Sequence, residues 1–153
     1  MKSTPISAGA GRDDPELDAI ATCFVAARRE CRPLGDYPGE VPADLRTAYR
    51  IQDRAIALWP DEIAGWKVGR IPPQVEARFG IDRLAGPIFA KGIRENGSSG
   101  PMPVFAGGFA AIEAEYVAVI AADAPADQRR WSMAQAAAMI ADLRIGLEIA
   151  SSP

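Results

Sequence analysis

The chain has 153 residues, 48% of them apolar and 24% charged, with a net charge of −3; this is enough for one domain with its own core and ordinary for a globular protein. It contains no basic run and no apolar stretch long enough to cross a bilayer, so neither nucleic acid nor a membrane is an expected partner. Histidine is absent, which excludes Ser-His-Asp and Cys-His catalysis and every His-ligated metal site, and leaves Lys, Glu, Asp, Tyr, Ser or a hard cation held by oxygens to carry any chemistry.

Residues 1–13 contain Ser, Gly and Pro without a period and read as a mobile tail with no apolar leader, so a cytoplasmic location is expected. Residues 14–60 read as helical. Asp14-Pro15-Glu16 supplies a cap, a first-turn proline and an acid for the helix dipole, and Leu17, Ile20, Ala21, Phe24 and Val25 recur at helical spacing. Cys23 and Cys31 lie too far apart along that helix to bridge and read as reduced thiols. A second helix is expected from Pro42 or Ala43 to Trp59, with Leu45, Ala48, Tyr49, Gln52, Ile56 and Trp59 as its core face and Pro60 as its stop.

Residues 61–153 read as β-rich. Ile63 to Gly69 predicts a strand with Trp66 and Val68 on one face and Lys67 on the other, between Gly65 and Gly69. Glycines on its own face give Lys67 open space that suits a ligand, and also suit a solvent-facing edge lysine. A short helical turn over Gln74 to Phe79, strands at Pro87–Ala90 and near Ile93, and a turn over residues 96–100 follow.

Ile112-Glu113-Ala114-Glu115-Tyr116-Val117-Ala118-Val119-Ile120 predicts a strand that points both glutamates to one side. Adjacent carboxylates repel and resist burial, a cost that a divalent cation offsets and that water on an edge strand also relieves. Ser132-Met133-Ala134-Gln135 matches a capping box and opens a helix with Met133, Ala136, Ala137, Ile140 and Leu143 as its apolar face and Gly146 as its stop. Leu147-Glu148-Ile149-Ala150 predicts a further strand with a third lone acid.

In this order the motifs resemble a known family. Ala48-Tyr49-Arg50-Ile51-Gln52 is similar to the A-Y-x-x-Q helix of the 2-keto-4-pentenoate hydratases, within the fumarylacetoacetate hydrolase superfamily. Gly65-Trp66-Lys67-Val68-Gly69 resembles their lysine strand, Ile112-Glu113-Ala114-Glu115 their E-x-E strand, and Leu147-Glu148-Ile149 their third-acid strand.

The resemblance implies an α+β fold, with N-terminal helices packed on a mixed, bent β-sheet or roll. It implies that Glu113, Glu115 and Glu148 hold Mg²⁺ or Mn²⁺, which chelates a 2-oxo acid, and that Lys67 assists proton transfer. The implied reaction is hydration of a 2-hydroxy-2,4-dienoate to a 4-hydroxy-2-oxo acid in aromatic-compound degradation. Arg70 stands where the hydratases often carry small polar residues and is a candidate for substrate binding. That change, and the acid-free Leu84-Ala85-Gly86-Pro87 loop, keep a decarboxylase or C–C hydrolase of the same family as alternatives. Family members continue beyond the third acid. The expectation is therefore an N-terminal fragment with little turnover alone, a partner in the form of a complementing second half or a homo-oligomer, or a non-catalytic remnant acting as an interaction subunit.

Overall fold

A computed structural model describes residues 14–95 and 100–152. The expected tail at 1–13 and most of the turn at 96–100 lie outside the described residues. The chain divides into two compact units between Pro101 and Met102.

The first unit opens with α1 (Pro15–Arg29) and α2 (Leu45–Leu58). The Asp14 side chain makes no cap hydrogen bond, contrary to expectation; its carboxylate instead lies 3.8 Å from Arg50 on α2. Asp44 caps α2 by accepting from the Thr47 N–H at 2.8 Å, which fixes the start later than Pro42 or Ala43. Cys31 lies beyond the end of α1 in a left-handed conformation (φ 49°), and neither cysteine is bridged.

Leu17, Ile20, Ala21 and Ile51 form the core between the helices, with Phe24, Tyr37 and Ala55 packed against it. Arg54 of α2 also pairs with Asp18 of α1. The buried residue of α2 is Ile51, which is not part of the expected stripe, and every member of that stripe is only half-buried. The reason is that α2 serves two neighbours. Ile51 faces α1, while Tyr49, Gln52 and Trp59 face the strands that follow.

Those strands are β1 (Ile63–Arg70) and β2 (Arg83–Phe89), paired antiparallel, with α3 (Pro73–Phe79) between them. Gly80 ends α3 with φ 68°, a conformation that glycine adopts without steric cost. The strand expected near Ile93 is absent. Ala90–Gly92 turns as a single 3₁₀ turn, pinned because Asp61 accepts from the Lys91 N–H at 2.9 Å and Lys91 Nζ donates to the Pro60 carbonyl at 3.0 Å.

The second unit is a long antiparallel ribbon of β3 (Phe109–Ile120) and β4 (Ile140–Ser152), connected through α4 (Met133–Ala138). The capping box at Ser132 and Gln135 forms as expected. The helix is shorter than expected, however, and Gly146 lies inside β4 rather than stopping a helix. Leu143, Ile145, Leu147 and Ile149 alternate with Arg144, Gly146 and Glu148, a period-2 pattern that outweighs the helical spacing of Ile140 and Leu143 once β3 is there to pair with.

The fold class is α+β, as expected. Every strand pair among the described residues is antiparallel, and the strands form two separate two-stranded ribbons. No helix among the described residues is long and apolar enough to cross a membrane.

Candidate metal centre

The register of the second ribbon builds the candidate site. Alternation puts Glu113 and Glu115 on one face of β3, and pairing sets Glu148 directly opposite Glu113 and Gly146 directly opposite Glu115. Four neighbouring positions therefore carry three acids and one glycine. One carboxylate oxygen from each of Glu113, Glu115 and Glu148 lies within 4.8 Å of the others. Glu113 is exposed, while Glu115 and Glu148 are half-buried.

Gly146, at the fourth position, has no side chain of its own. A Cβ there would come within 2.9 Å of Val117 Cγ2, closer than real side chains approach. Val117, on the same face as Glu113 and Glu115, thus packs closely over Gly146 beside the acids. Three negative charges at this separation repel by roughly 1 kcal/mol per pair in water, and by roughly 3 kcal/mol where the effective dielectric falls to about 20. Farther along the same face, Asp142 is held below the usual carboxylate range by the hydrogen bond that Arg144 Nε donates to it at 2.8 Å, with the Leu143 N–H adding to the effect. That fourth acid is therefore engaged away from the trio.

Lys67 and Arg70 belong to the first unit. Lys67 is half-buried and paired across the ribbon with Gly86, so Gly65, Gly69 and Gly86 all surround it on its own face. This is the face that α2 covers, because Gln52 Nε2 stands 4.0 Å from the place of a Cβ on Gly86. Arg70 is exposed and pairs in register with Arg83. The Trp66 and Val68 face is exposed.

Tyr49 and Gln52 hold this ribbon from α2. Tyr49 Oη accepts from the Ala85 N–H at 3.0 Å, and Gln52 Nε2 donates to the Ala85 carbonyl at 3.1 Å. Both outward-facing backbone groups of one β2 residue are satisfied by side chains three apart on one helix face. The sequence reading placed these two residues in an apolar stripe. Their polar ends within that stripe were the signal for a clamp.

A shallow recess lies elsewhere on the second unit, lined by Met102, Val104, Ala110, Ala111, Ile112 and Ile149. It is apolar and none of the three acids lines it.

Comparison of the chain with protein-family models, with curated proteins and with solved structures finds no match.

Proposed function

We propose that this protein is a divalent-cation-dependent lyase module of the 2-keto-4-pentenoate hydratase kind, with the fold of the fumarylacetoacetate hydrolases. It would add water to a 2-hydroxy-2,4-dienoate to give a 4-hydroxy-2-oxo acid in aromatic-compound degradation. The observation that carries this reading is the convergence of Glu113, Glu115 and Glu148, with carboxylate oxygens within 4.8 Å of one another.

An all-oxygen, all-carboxylate donor set suits a hard cation, Mg²⁺ or Mn²⁺, and three protein ligands leave coordination positions for substrate. When bound, the cation supplies Lewis-acid polarisation of the oxo and carboxylate oxygens of a 2-oxo acid. The three glutamates bind and orient it. Lys67 takes the proton-transfer role, for which the surrounding glycines leave room for a substrate carbon or a water. Arg70 takes the substrate carboxylate, a task suited to its planar fork.

Thermal melting with and without Mg²⁺ or Mn²⁺, followed by a dienoate absorbance assay, tests the reading. Cation-dependent stabilisation lost in Glu113→Gln, with dienoate turnover lost in Lys67→Met, supports it. Formation of CO₂ or of two shorter acids in the same assay would move the assignment to a decarboxylase or a C–C hydrolase. Absence of any cation effect in the wild type removes it. A second reading, a non-catalytic interaction subunit, is favoured by the exposed apolar face opposite the acids; cation binding without turnover of any of these acids selects it.

A further inference from the structure

The face of the β3–β4 ribbon that carries the glutamates continues past them in both directions. Beyond Glu115 and Gly146, Val117 stands opposite Arg144, and Val119 then stands opposite Asp142. On the other side of the acids, Ala111 stands opposite Ala150. Arg144 is therefore the one cation on this face among the described residues of the ribbon. Its Nε donates to Asp142 at 2.8 Å, and its two Nη groups meet no partner among the described residues.

An exposed ion pair of this kind adds little to stability, so the ribbon gains little from Arg144 and Asp142. The pair does hold one edge of the guanidinium and leaves its remaining donors for a further acceptor. Between Arg144 and the acids lies Val117, packed over Gly146. One face thus runs from three carboxylates, across an apolar step, to a guanidinium, with about 7 Å of strand between successive residue pairs. With a divalent cation bound, the three glutamates keep one net negative charge, which repels an anionic group at the far end of a ligand. Arg144 offsets that repulsion one residue pair away. The uncharged end of a monoacid would need no cation there.

We infer that Arg144 determines specificity by taking a second carboxylate at the far end of the substrate, so that the preferred substrate is a 2-oxo or 2-hydroxydienoic diacid rather than a monoacid. The carbon chain crosses Val117, and the far carboxylate accepts from the Nη groups of Arg144. Arg70 keeps its task at the carboxylate beside the oxo group. The inference rests on the cation reading proposed above.

Calorimetric titration of the full, Mn²⁺-loaded chain with 2-oxoadipate and with 2-oxohexanoate tests it, since the two acids share a carbon chain and differ in the second carboxylate. Circular dichroism confirms that each variant folds. The wild type is expected to bind the diacid on the order of 10-fold more tightly, the size of one charge-assisted hydrogen bond. Added salt should narrow that preference. Arg144→Met should abolish it while leaving the binding of Mn²⁺ and of 2-oxohexanoate as in the wild type. Arg144→Lys, which keeps the charge without the planar fork, should retain part of it. Equal affinity of the wild type for both acids, or a preference that survives Arg144→Met, overturns the inference and leaves the cation reading standing. A wild type that binds Mn²⁺ but neither acid overturns the inference together with the substrate reading, and one that binds no Mn²⁺ overturns it together with the cation reading.

Discussion

The two units bury their apolar residues in opposite ways. The first closes a core of Leu17, Ile20, Ala21 and Ile51 between two helices, and the buried residues of the described chain all belong to it. The second exposes Ile112, Tyr116, Ile145 and Leu147 on a two-stranded ribbon. An isolated two-stranded ribbon is marginal in water, because each strand gains cover on one edge only. Helix packing therefore anchors the first unit, whereas backbone register alone brings the three glutamates of the second together. The unit with the better core carries Lys67, and the unit with the poorer core carries the acids.

Mutations can break this contrast, the largest effect first. Ile20 is 1% exposed, so Ile20→Ala should cost about 2–5 kcal/mol in urea unfolding, whereas Ile145→Ala, at a site 82% exposed, should change stability by less than about 0.5 kcal/mol. Equal losses at the two sites would erase the distinction between a packed and an open unit. Gly146→Val should cost about 1–3 kcal/mol, since its Cβ meets Val117 at 2.9 Å. The same substitution should weaken cation binding by forcing Val117 and the backbone opposite Glu115 to shift; unaltered cation affinity would show that this packing plays no part.

Tyr49→Phe should cost about 1 kcal/mol by leaving the Ala85 N–H without its acceptor, and hydrogen exchange at Ala85 should speed up. Unaltered exchange there would remove the clamp from the account. The smallest effect concerns pH. The Thr47 N–H, above all, holds the Asp44 carboxyl below the usual range. The cap's contribution is then fully present above the ordinary aspartate value of about 3.9 and is lost as pH falls through the lower folded value. Asp44→Asn keeps an acceptor without a titration, so its acid unfolding profile should be flatter at the low end; an unchanged profile would show that this cap does not respond to acid.

What the sequence made legible follows the same division. Local signals read well: Pro60 ended α2, Gly80 ended α3, and Ser132 with Gln135 opened α4. Glu113 and Glu115 were placed on one face by strand periodicity alone, because alternation needs no partner to be seen. Three things were not legible. Ile51 was missed because α2 has two neighbours, and a single apolar stripe cannot show which face meets which. The beginning of β4 was missed because Ile140 and Leu143 continue the helical spacing of Met133, Ala136 and Ala137, and only the pairing of Ile140 to Ser152 with β3 shows where the helix gives way to the strand. The opposition of Glu148 to Glu113 is likewise a property of register, which no single strand carries.

The central claim is a cation held by three glutamates, and Mn²⁺ titration followed by electron paramagnetic resonance tests it most directly. The account predicts one bound Mn²⁺ per wild-type chain, displaced by Mg²⁺ and lost in both Glu113→Gln and Glu148→Gln. Wild-type chain that leaves all added Mn²⁺ in its free hexaaqua signal, or variants that bind it as the wild type does, would contradict the account.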